Sequence, residues 1–337
     1  MIAGFHAKAI QAAGGSLIAC YDTVPAAADK IAAQQPGCKA YYTLEEFMAD
    51  KAIEIVTIGT PSGAHLEPAL AAANAGKHII CEKPLEVTLE KGKQIIDACK
   101  KNNVLVAGVL QSRFHDSALT LKAAVDAGRF GRLTLGDAIL KWYRPQAYYD
   151  QAAWRGTWAL DGGGALMNQG IHSIDLLTWL MGPVAEVTAH TALLAHKDIE
   201  VEDVGVATVK FANGALGTIV GTTAAYPGAL KRVEISGDKG SAILEDEDII
   251  AWNFAEELPS DVAVKEAMAN KKSGGGGAAD PAAISYVGQT RLFANMMAAI
   301  DGKEKIAIDG PEAMRSVEII LAIYKSAKTG QAVKLPL

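Results

Sequence analysis

Short apolar runs alternate with amphipathic stretches through the first third of the chain, and this alternation limits the fold more than any other feature. Residues 16–21, 53–58, 78–81 and 104–110 are strand-like, and the intervening 24–35, 64–75 and 89–102 carry helical patterns. Strands separated by helices of that length pair in parallel and are joined by crossover helices. Their near-continuous apolar character fits strands covered on both faces. The pattern changes after Ala118. Residues 119–127 read as a helix, 133–143 as a long strand, 144–164 as a loop, and 165–181 as a helix stopped by Gly182-Pro183. Strand patterns then crowd together at 186–193, 203–211, 215–222, 231–236, 241–245 and 249–253, with Asn213-Gly214 and Asp238-Lys239-Gly240 as hairpin signals. Residues 271–279 read as a mobile glycine-rich loop, and helical patterns at 289–301 and 311–329 close the chain. The expectation is an α/β chain. A parallel sheet occupies residues 1–117, and an α+β domain with a large, open-faced, mainly antiparallel sheet occupies 118–337.

A chain of 337 residues suits two domains better than one core. Its net charge of −6 does not draw a phosphate backbone, which argues against nucleic acid as a partner. No apolar run approaches the roughly 20 residues that cross a bilayer. No basic segment precedes an apolar core near Met1, so neither a membrane anchor nor a secretory leader is expected. Cys20, Cys38, Cys81 and Cys99 form no Cys-x-x-Cys pair, and none stands at metal-ligand spacing from a histidine. A reduced, cytoplasmic protein with no metal site is expected.

The chain opens Met1-Ile2-Ala3-Gly4-Phe5-His6 and continues as an Ala-rich helix to Ala13. The next strand ends at Tyr21-Asp22. An acidic residue there, about 20 residues after a phosphate-binding turn, accepts the hydroxyls of an adenosine ribose and repels a 2′-phosphate. NAD is then favoured over NADP. The alternative for Asp22 is a capping role for the helix that follows. Dinucleotide-binding sheets open with a strand and a G-x-G-x-x-G/A turn. This sequence begins at the last part of such a turn, with Ala3 in its third small position, and lacks the strand and the first two glycines. Either Met1 is internal to a longer chain or cofactor binding is impaired, and the first is the expectation.

Three segments together resemble a known family. Cys81-Glu82-Lys83-Pro84 ends the 78–81 strand, and Thr60-Pro61 with His65 follows the strand before it. Gly162-Gly163-Gly164 leads through Asn168 to His172 at the start of a helix in the second half. Across essentially the whole chain this is similar to the Gfo/Idh/MocA family, named for glucose–fructose oxidoreductase, inositol dehydrogenase and a rhizopine catabolism protein. The resemblance implies a Rossmann-like first domain, NAD(P) as cofactor, and homodimers or homotetramers assembled through the open sheet of the second domain. It implies that Thr60, Pro61, His65, Glu82 and Lys83 line the cofactor and that Lys83 and His172 flank a sugar-like substrate. The family's usual aspartate four residues before the histidine is Asn168 here, which bears on the proton path from His172. Residues 143–158, with Arg144, Tyr148, Tyr149, Trp154, Arg155 and Trp158, resemble the branch that oxidises nucleotide-linked aminosugar uronates at C3.

Oxidising a secondary alcohol needs a hydride acceptor, a base for the hydroxyl proton, and positive charge near the developing alkoxide. The cofactor supplies the first. A histidine suits the second and a lysine ammonium the third, so His172 and Lys83 are the candidate catalytic pair. Each has a plainer reading: a solvated lysine at a strand end, and a buried helix histidine bonded to a carbonyl. The three glycines before the helix allow a ligand or another backbone to come close. Asn168, one turn before His172, orients the substrate hydroxyl or the imidazole. Arg144 and Arg155 suit carboxylate or phosphate, and Trp154 with its aromatic neighbours suits a sugar ring. The alternative is a surface loop anchored by its aromatics. Arg113 is a further substrate candidate or a partner of Asp116. His190 and His196 receive no role. The favoured function is hydride transfer between NAD and a secondary alcohol of a sugar, sugar acid or cyclic polyol. The competing readings are an NAD-dependent glycoside hydrolase with transient C3 oxidation and a non-catalytic sugar- or nucleotide-binding protein.

Overall fold

The computed structural model describes residues 2–270 and 286–337, so the glycine-rich stretch 271–279 lies outside the described residues. Contacts divide the chain into two units, Met1–Gln111 with Ser285–Met314, and Ser112–Ile284 with Arg315–Leu337. The sequence reading draws one boundary after residue 117 and has no means of returning a late segment to the first unit. That return is a packing effect. The helix Val287–Ile300 lies against α1 (Ile2–Ala12), where the His6 ring meets Phe293 edge-on with centroids 5.5 Å apart.

In the first unit α1 is followed by β1 (Ala19–Tyr21), α2 (Pro25–Gln34), β2 (Lys39–Tyr41), α3 (Leu44–Ala49), β3 (Ile55–Ile58), α4 (Leu66–Asn74), β4 (His78–Cys81), α5 (Leu89–Lys101) and β5 (Val106–Gly108). All the strand pairings are parallel, as expected, but the strands form two sheets, β1-β2 and β3-β4-β5. β2 and α3 are absent from the sequence reading because a Lys-Ala-Tyr strand of 3 residues is too short to show a period. Parallel pairing of Cys20 with Ala40 sets its place. Thr43 and Thr88 cap α3 and α5 by accepting the N–H of Glu46 and Lys91 at 3.3 and 3.2 Å. Ile79, Ile80 and Cys81 are fully buried, so β4 is the covered strand that its apolar run suggests.

The second unit holds α6 (Asp116–Asp126), β6 (Leu133–Lys141), α7 (Gln146–Asp150), a π-helical turn (Ala165–Gly170), α8 (Ile171–Met181), β7 (Val184–Ala192), β8 (Val204–Phe211), β9 (Leu216–Thr222), β10 (Arg232–Gly237), β11 (Gly240–Glu245), β12 (Asp248–Phe254), α9 (Asp261–Ala269) and β13 (Val333–Lys334). Eight strands form one sheet in the order β12-β11-β10-β6-β9-β8-β7-β13. Only β6 and β9 run parallel to each other, so the sheet is mainly antiparallel, as the hairpin signals predict. Burial alternates along β8: Gly205, Ala207, Val209 and Phe211 are covered, while Val206, Thr208 and Lys210 are exposed. The covered face receives α8, and the opposite face carries exposed Leu135, Val206 and Leu216.

Gly136 and Gly217 are register partners where β6 meets β9. A methyl at Gly217 would overlap the Gly136 carbonyl oxygen and crowd the Phe211 ring. Gly4, in α1, has open space at the same position. Urea unfolding is therefore expected to show Gly217→Ala losing about 1–3 kcal/mol by overpacking. Gly4→Ala should gain about 0.5–1 kcal/mol from helix propensity. Equal midpoints for the two variants would contradict this packing.

Candidate active site

β3 and β4 end side by side, with Ile58 paired to Cys81, and their carboxyl ends carry Thr60-Pro61 and Glu82-Lys83. Ligands bind at such strand ends in open α/β sheets. His65 ties the two turns together. It is buried, with Nδ1 2.9 Å from the Pro84 carbonyl and Nε2 3.1 Å from the Thr60 carbonyl. Burial pushes its pKa down, so the neutral ring donates to one carbonyl at a time and braces the backbone. Thr60 is exposed, and its hydroxyl donates to the Ala64 carbonyl at 3.0 Å.

Glu82 is buried. One carboxylate oxygen lies 2.8 Å from His6 Nε2, and the other accepts the Lys83 N–H at 3.1 Å. Burial alone would raise this carboxyl, but the contacts with His6 and Lys83 outweigh it and hold the pKa below its ordinary value. With Glu82 ionised, His6 donates from Nε2, and its Nδ1, 2.7 Å from the Thr57 hydroxyl, accepts. His6 gives no signal in the sequence, being one histidine on an Ala-rich helix. Lys83 stands half-buried at the end of β4.

The first unit also has features that fit a dinucleotide. Ala3 is exposed in the first turn of α1, Gly4 faces open space, and a methyl on Gly59 after β3 would touch only Ile2. A helix N-terminus lined by small residues beside parallel strand ends lets a phosphate approach closely. Asp22 follows β1 and is exposed, with one carboxylate oxygen accepting the Val24 N–H at 2.8 Å. The N-cap position of α2 is Val24, so Asp22 makes a local turn ahead of the helix rather than capping it.

In the second unit the predicted 165–181 helix is of two kinds, the π-helical turn Ala165–Gly170 and then α8. The glycines before it admit another backbone. A methyl at Gly164 would overlap the Glu202 carbonyl oxygen, and one at Gly163 would overlap the Tyr324 hydroxyl. The Glu202 carboxylate accepts the N–H groups of Gly164 and Leu166 at 2.9 Å each and the Tyr324 hydroxyl at 3.0 Å. Asn168 donates to Asp161, a buried carboxylate that also accepts the Gly156 N–H at 2.9 Å. His172 is half-buried in the first turn of α8.

Arg113 pairs with Asp175. Its Nε and Nη2 reach the two carboxylate oxygens at 2.8 and 2.5 Å, and both residues are buried. Asp175 is three residues beyond His172, one helical turn along α8. The Arg144 and Arg155 guanidinium groups both lie over the Tyr148 ring, 5.6 and 4.1 Å from its centroid, and Arg155 is 5.6 Å from the Trp154 ring. Gln169 of the π-helical turn donates to the Tyr148 hydroxyl at 3.2 Å, so this cluster and the turn bearing Asn168 are joined. His196, given no role by the sequence, bridges Asp203 at 3.0 Å and the Arg144 carbonyl at 2.7 Å. Asp161, Glu202, Asp203 and Tyr324 also escape the sequence reading. Only Asp161 had a usable signal, standing directly before the glycine run.

Comparison with known proteins agrees with both halves of this architecture. The family model described as an oxidoreductase family with an NAD-binding Rossmann fold matches residues 1–109, and that of the GFO/IDH/MocA C-terminal domain matches 118–243. The WlbA dehydrogenase of Bordetella pertussis, solved with NADH and UDP-GlcNAcA, is 36% identical, with a TM-score of 0.90 over 100% of this chain and 95% of that one. The 1,5-anhydro-D-fructose reductase of Ensifer adhaerens is 27% identical over 334 residues, 97% of this chain and 93% of the reductase. An uncharacterized oxidoreductase of Schizosaccharomyces pombe is 32% identical over 160 residues, where this chain spans 42% of that relative's length. Matched at its parallel-sheet end, at its antiparallel-sheet end and, over its own whole length, to a solved dehydrogenase, the chain belongs to the Gfo/Idh/MocA family of oxidoreductases.

Proposed function

We propose that the protein transfers a hydride between NAD and a secondary alcohol of a sugar or sugar acid, with a nucleotide-linked aminosugar uronate as substrate and C3 as the reacting carbon. The observation that carries this substrate class is the cluster of Arg144 and Arg155 on Tyr148, joined through Gln169 to the turn that bears Asn168. Two planar guanidinium groups suit the carboxylate and phosphate oxygens of such a molecule. Similarity to the WlbA dehydrogenase, solved with UDP-GlcNAcA, supports the same choice.

In this reading residues 1–117 bind the dinucleotide, and 118–337 bind the substrate and form the oligomer. NAD, when bound, supplies the hydride acceptor. Ala3, Asp22, Thr60, Pro61, His65, Glu82 and Lys83 hold it. The exposed Asp22 carboxylate disfavours a 2′-phosphate, so NADP is the poorer cofactor. The Lys83 ammonium stabilises the developing alkoxide, and His172 takes the hydroxyl proton. Asn168 carries no exchangeable charge. Held by Asp161, it orients the hydroxyl and leaves the proton to His172. Trp154 packs on the sugar ring. Arg113, bound to Asp175, steadies α8 beside His172 and meets the substrate only at its edge. Free cysteines fit a cytoplasmic location. Among the described residues no helix is long and apolar enough to cross a membrane.

The purified protein, given NAD and a panel of inositols, aldoses, uronates and UDP-linked uronates, should accumulate NADH fastest on a UDP-linked aminosugar uronate. Cleavage of a glycoside without net NADH would instead favour the redox-neutral reading, and tight binding without turnover a sensor. Lys83→Ala should abolish turnover and leave thermal unfolding unchanged. His172→Ala should lower the rate by roughly 10²–10⁴. A near-normal rate for either variant removes that residue from the chemistry.

The open sheet face supplies the oligomer contact in this proposal. Val206, Val220 and Ile139 lie in one row across β8, β9 and β6, and Leu135 pairs with exposed Leu216. Light scattering should find a dimer or tetramer for the natural chain and a monomer for Val206→Glu. A monomeric natural chain, or an unchanged assembly in the variant, rejects this face as the contact.

A further inference from the structure

We propose that Glu202, together with Tyr324, is a positioning residue of the reaction: its carboxyl group anchors the start of the turn that carries Asn168 and leads into His172. This rests on the dehydrogenase reading for the roles of Asn168 and His172. The anchoring itself is geometric.

The first N–H groups of a helix have no acceptor within it. A Ser, Thr, Asp or Asn at the N-cap normally supplies one. Here the N-cap position is Gly164, which has no side chain to offer. A single residue from elsewhere in the chain takes three consecutive N–H groups instead. The Glu202 carboxylate accepts from Gly164 and Leu166 at 2.9 Å each, and its backbone carbonyl accepts from Ala165 at 3.1 Å. Tyr324, from the helix Gly310–Thr329, donates to the same carboxylate oxygen as Leu166, at 3.0 Å. Gly163 and Gly164 are the side-chain-free positions that let the Tyr324 hydroxyl and the Glu202 backbone come this close.

The neighbouring Asp203 does the same for another part of the proposed site. It accepts the N–H groups of Leu194, Ala195 and His196 at 2.8, 2.8 and 3.0 Å, and His196 in turn reaches the Arg144 carbonyl. The two acids differ in one respect. Burial works to raise Asp203, but its N–H and His196 hydrogen bonds outweigh that and hold the carboxyl low. For Glu202 burial wins and pushes the carboxyl up to about 7, against the Leu166, Gly164 and Tyr324 hydrogen bonds. Among the described residues Tyr324 is the titratable side chain hydrogen-bonded to Glu202, and Asp161 lies near Tyr324 from the loop before the turn. Asp203 faces its own set of amides. Protonation of Glu202 therefore weakens the anchor in the neutral pH range, where it is complete only on the alkaline side.

The test compares the natural chain with Tyr324→Phe and Glu202→Gln in two ways. Steady-state kinetics on the best UDP-linked uronate are followed across neutral pH, and amide hydrogen exchange of the 164–172 segment is followed by mass spectrometry over the same range. The natural chain should lose kcat, with little change in KM, as pH falls through about 7. In Tyr324→Phe that limb should move up by about one pH unit, the worth of one hydrogen bond to a carboxylate. In Glu202→Gln the exchange should lose its pH dependence, the kcat limb should keep only the part that belongs to the base, and kcat should fall about a hundredfold from misplacement of the reacting groups. Exchange in 164–172 should quicken below the same midpoint in the natural chain and be fast at every pH in Glu202→Gln. Unchanged exchange overturns the anchoring. Altered exchange with an unmoved kcat limb overturns the role in catalysis and leaves Glu202 a structural cap. If no substrate turns over, the dehydrogenase reading fails and the exchange measurement alone decides the anchoring. If Glu202→Gln does not fold, Tyr324→Phe decides both.

Discussion

Backbone N–H groups at the start of a helix or within a loop need acceptors, and this protein meets that need around its proposed site with buried carboxylates. Glu202 takes the N–H groups at the entrance of the π-helical turn, and Asp203 those of 194–196. Asp161 binds the Gly156 N–H and the Asn168 amide, and Glu82 binds the N–H of Lys83. An ionised carboxylate is costly to bury unless hydrogen bonds surround it. Hydrogen bonds compensate Asp203 and Glu82 fully enough to hold their carboxyls low, whereas for Glu202 burial prevails. The segments they hold carry Lys83 and Asn168, the Glu202-anchored turn leads into His172, and His196 links the Asp203-held loop to the Arg144 carbonyl.

The same economy of space governs the glycines. Gly163 and Gly164 stand where a side chain would strike Tyr324 or Glu202, and Gly136 and Gly217 stand where two strands pair in parallel. At Gly4 and Gly59 the space is largely open, at the start of α1 and beyond the end of β3. The first group serves internal packing. The second lies where a phosphate would approach a helix N-terminus. A glycine run in a sequence does not distinguish these uses, because both require only the absence of a Cβ.

Charge is separated by role between the two units. In the first, Glu82 remains ionised beside Lys83 and His6, and His65 is neutral between two carbonyls. The carboxylate lies beside Lys83 at the end of β4, and the His65 ring braces the two turns. In the second, the guanidinium groups of Arg144 and Arg155 share the Tyr148 ring, and Asp175 engages Arg113. In the proposed reaction the proton goes to His172, because its neighbour Asn168 cannot titrate. The same proposal gives anion recognition to the two arginines.

Periodicity in the sequence determined the class of fold: parallel strands with crossover helices first, then closely spaced antiparallel strands. Apolar runs and hairpin turns are local signals, and burial of both faces or of one face leaves its mark on each strand separately. The Glu-Lys-Pro and Gly-Gly-Gly…Asn…His segments likewise identified the family, because their residues are adjacent or one helical turn apart. Tertiary structure alone decided the rest. Arg113 pairs with Asp175 across 62 positions, His6 with Glu82 across 76, and Tyr324 with Glu202 across 122. The return of the 287–300 helix to α1, the shortness of β2 and the π-helical start of the 165–181 helix are of the same kind. Contacts between distant positions leave no period in a single sequence, and a buried histidine or glutamate is spelled no differently from an exposed one.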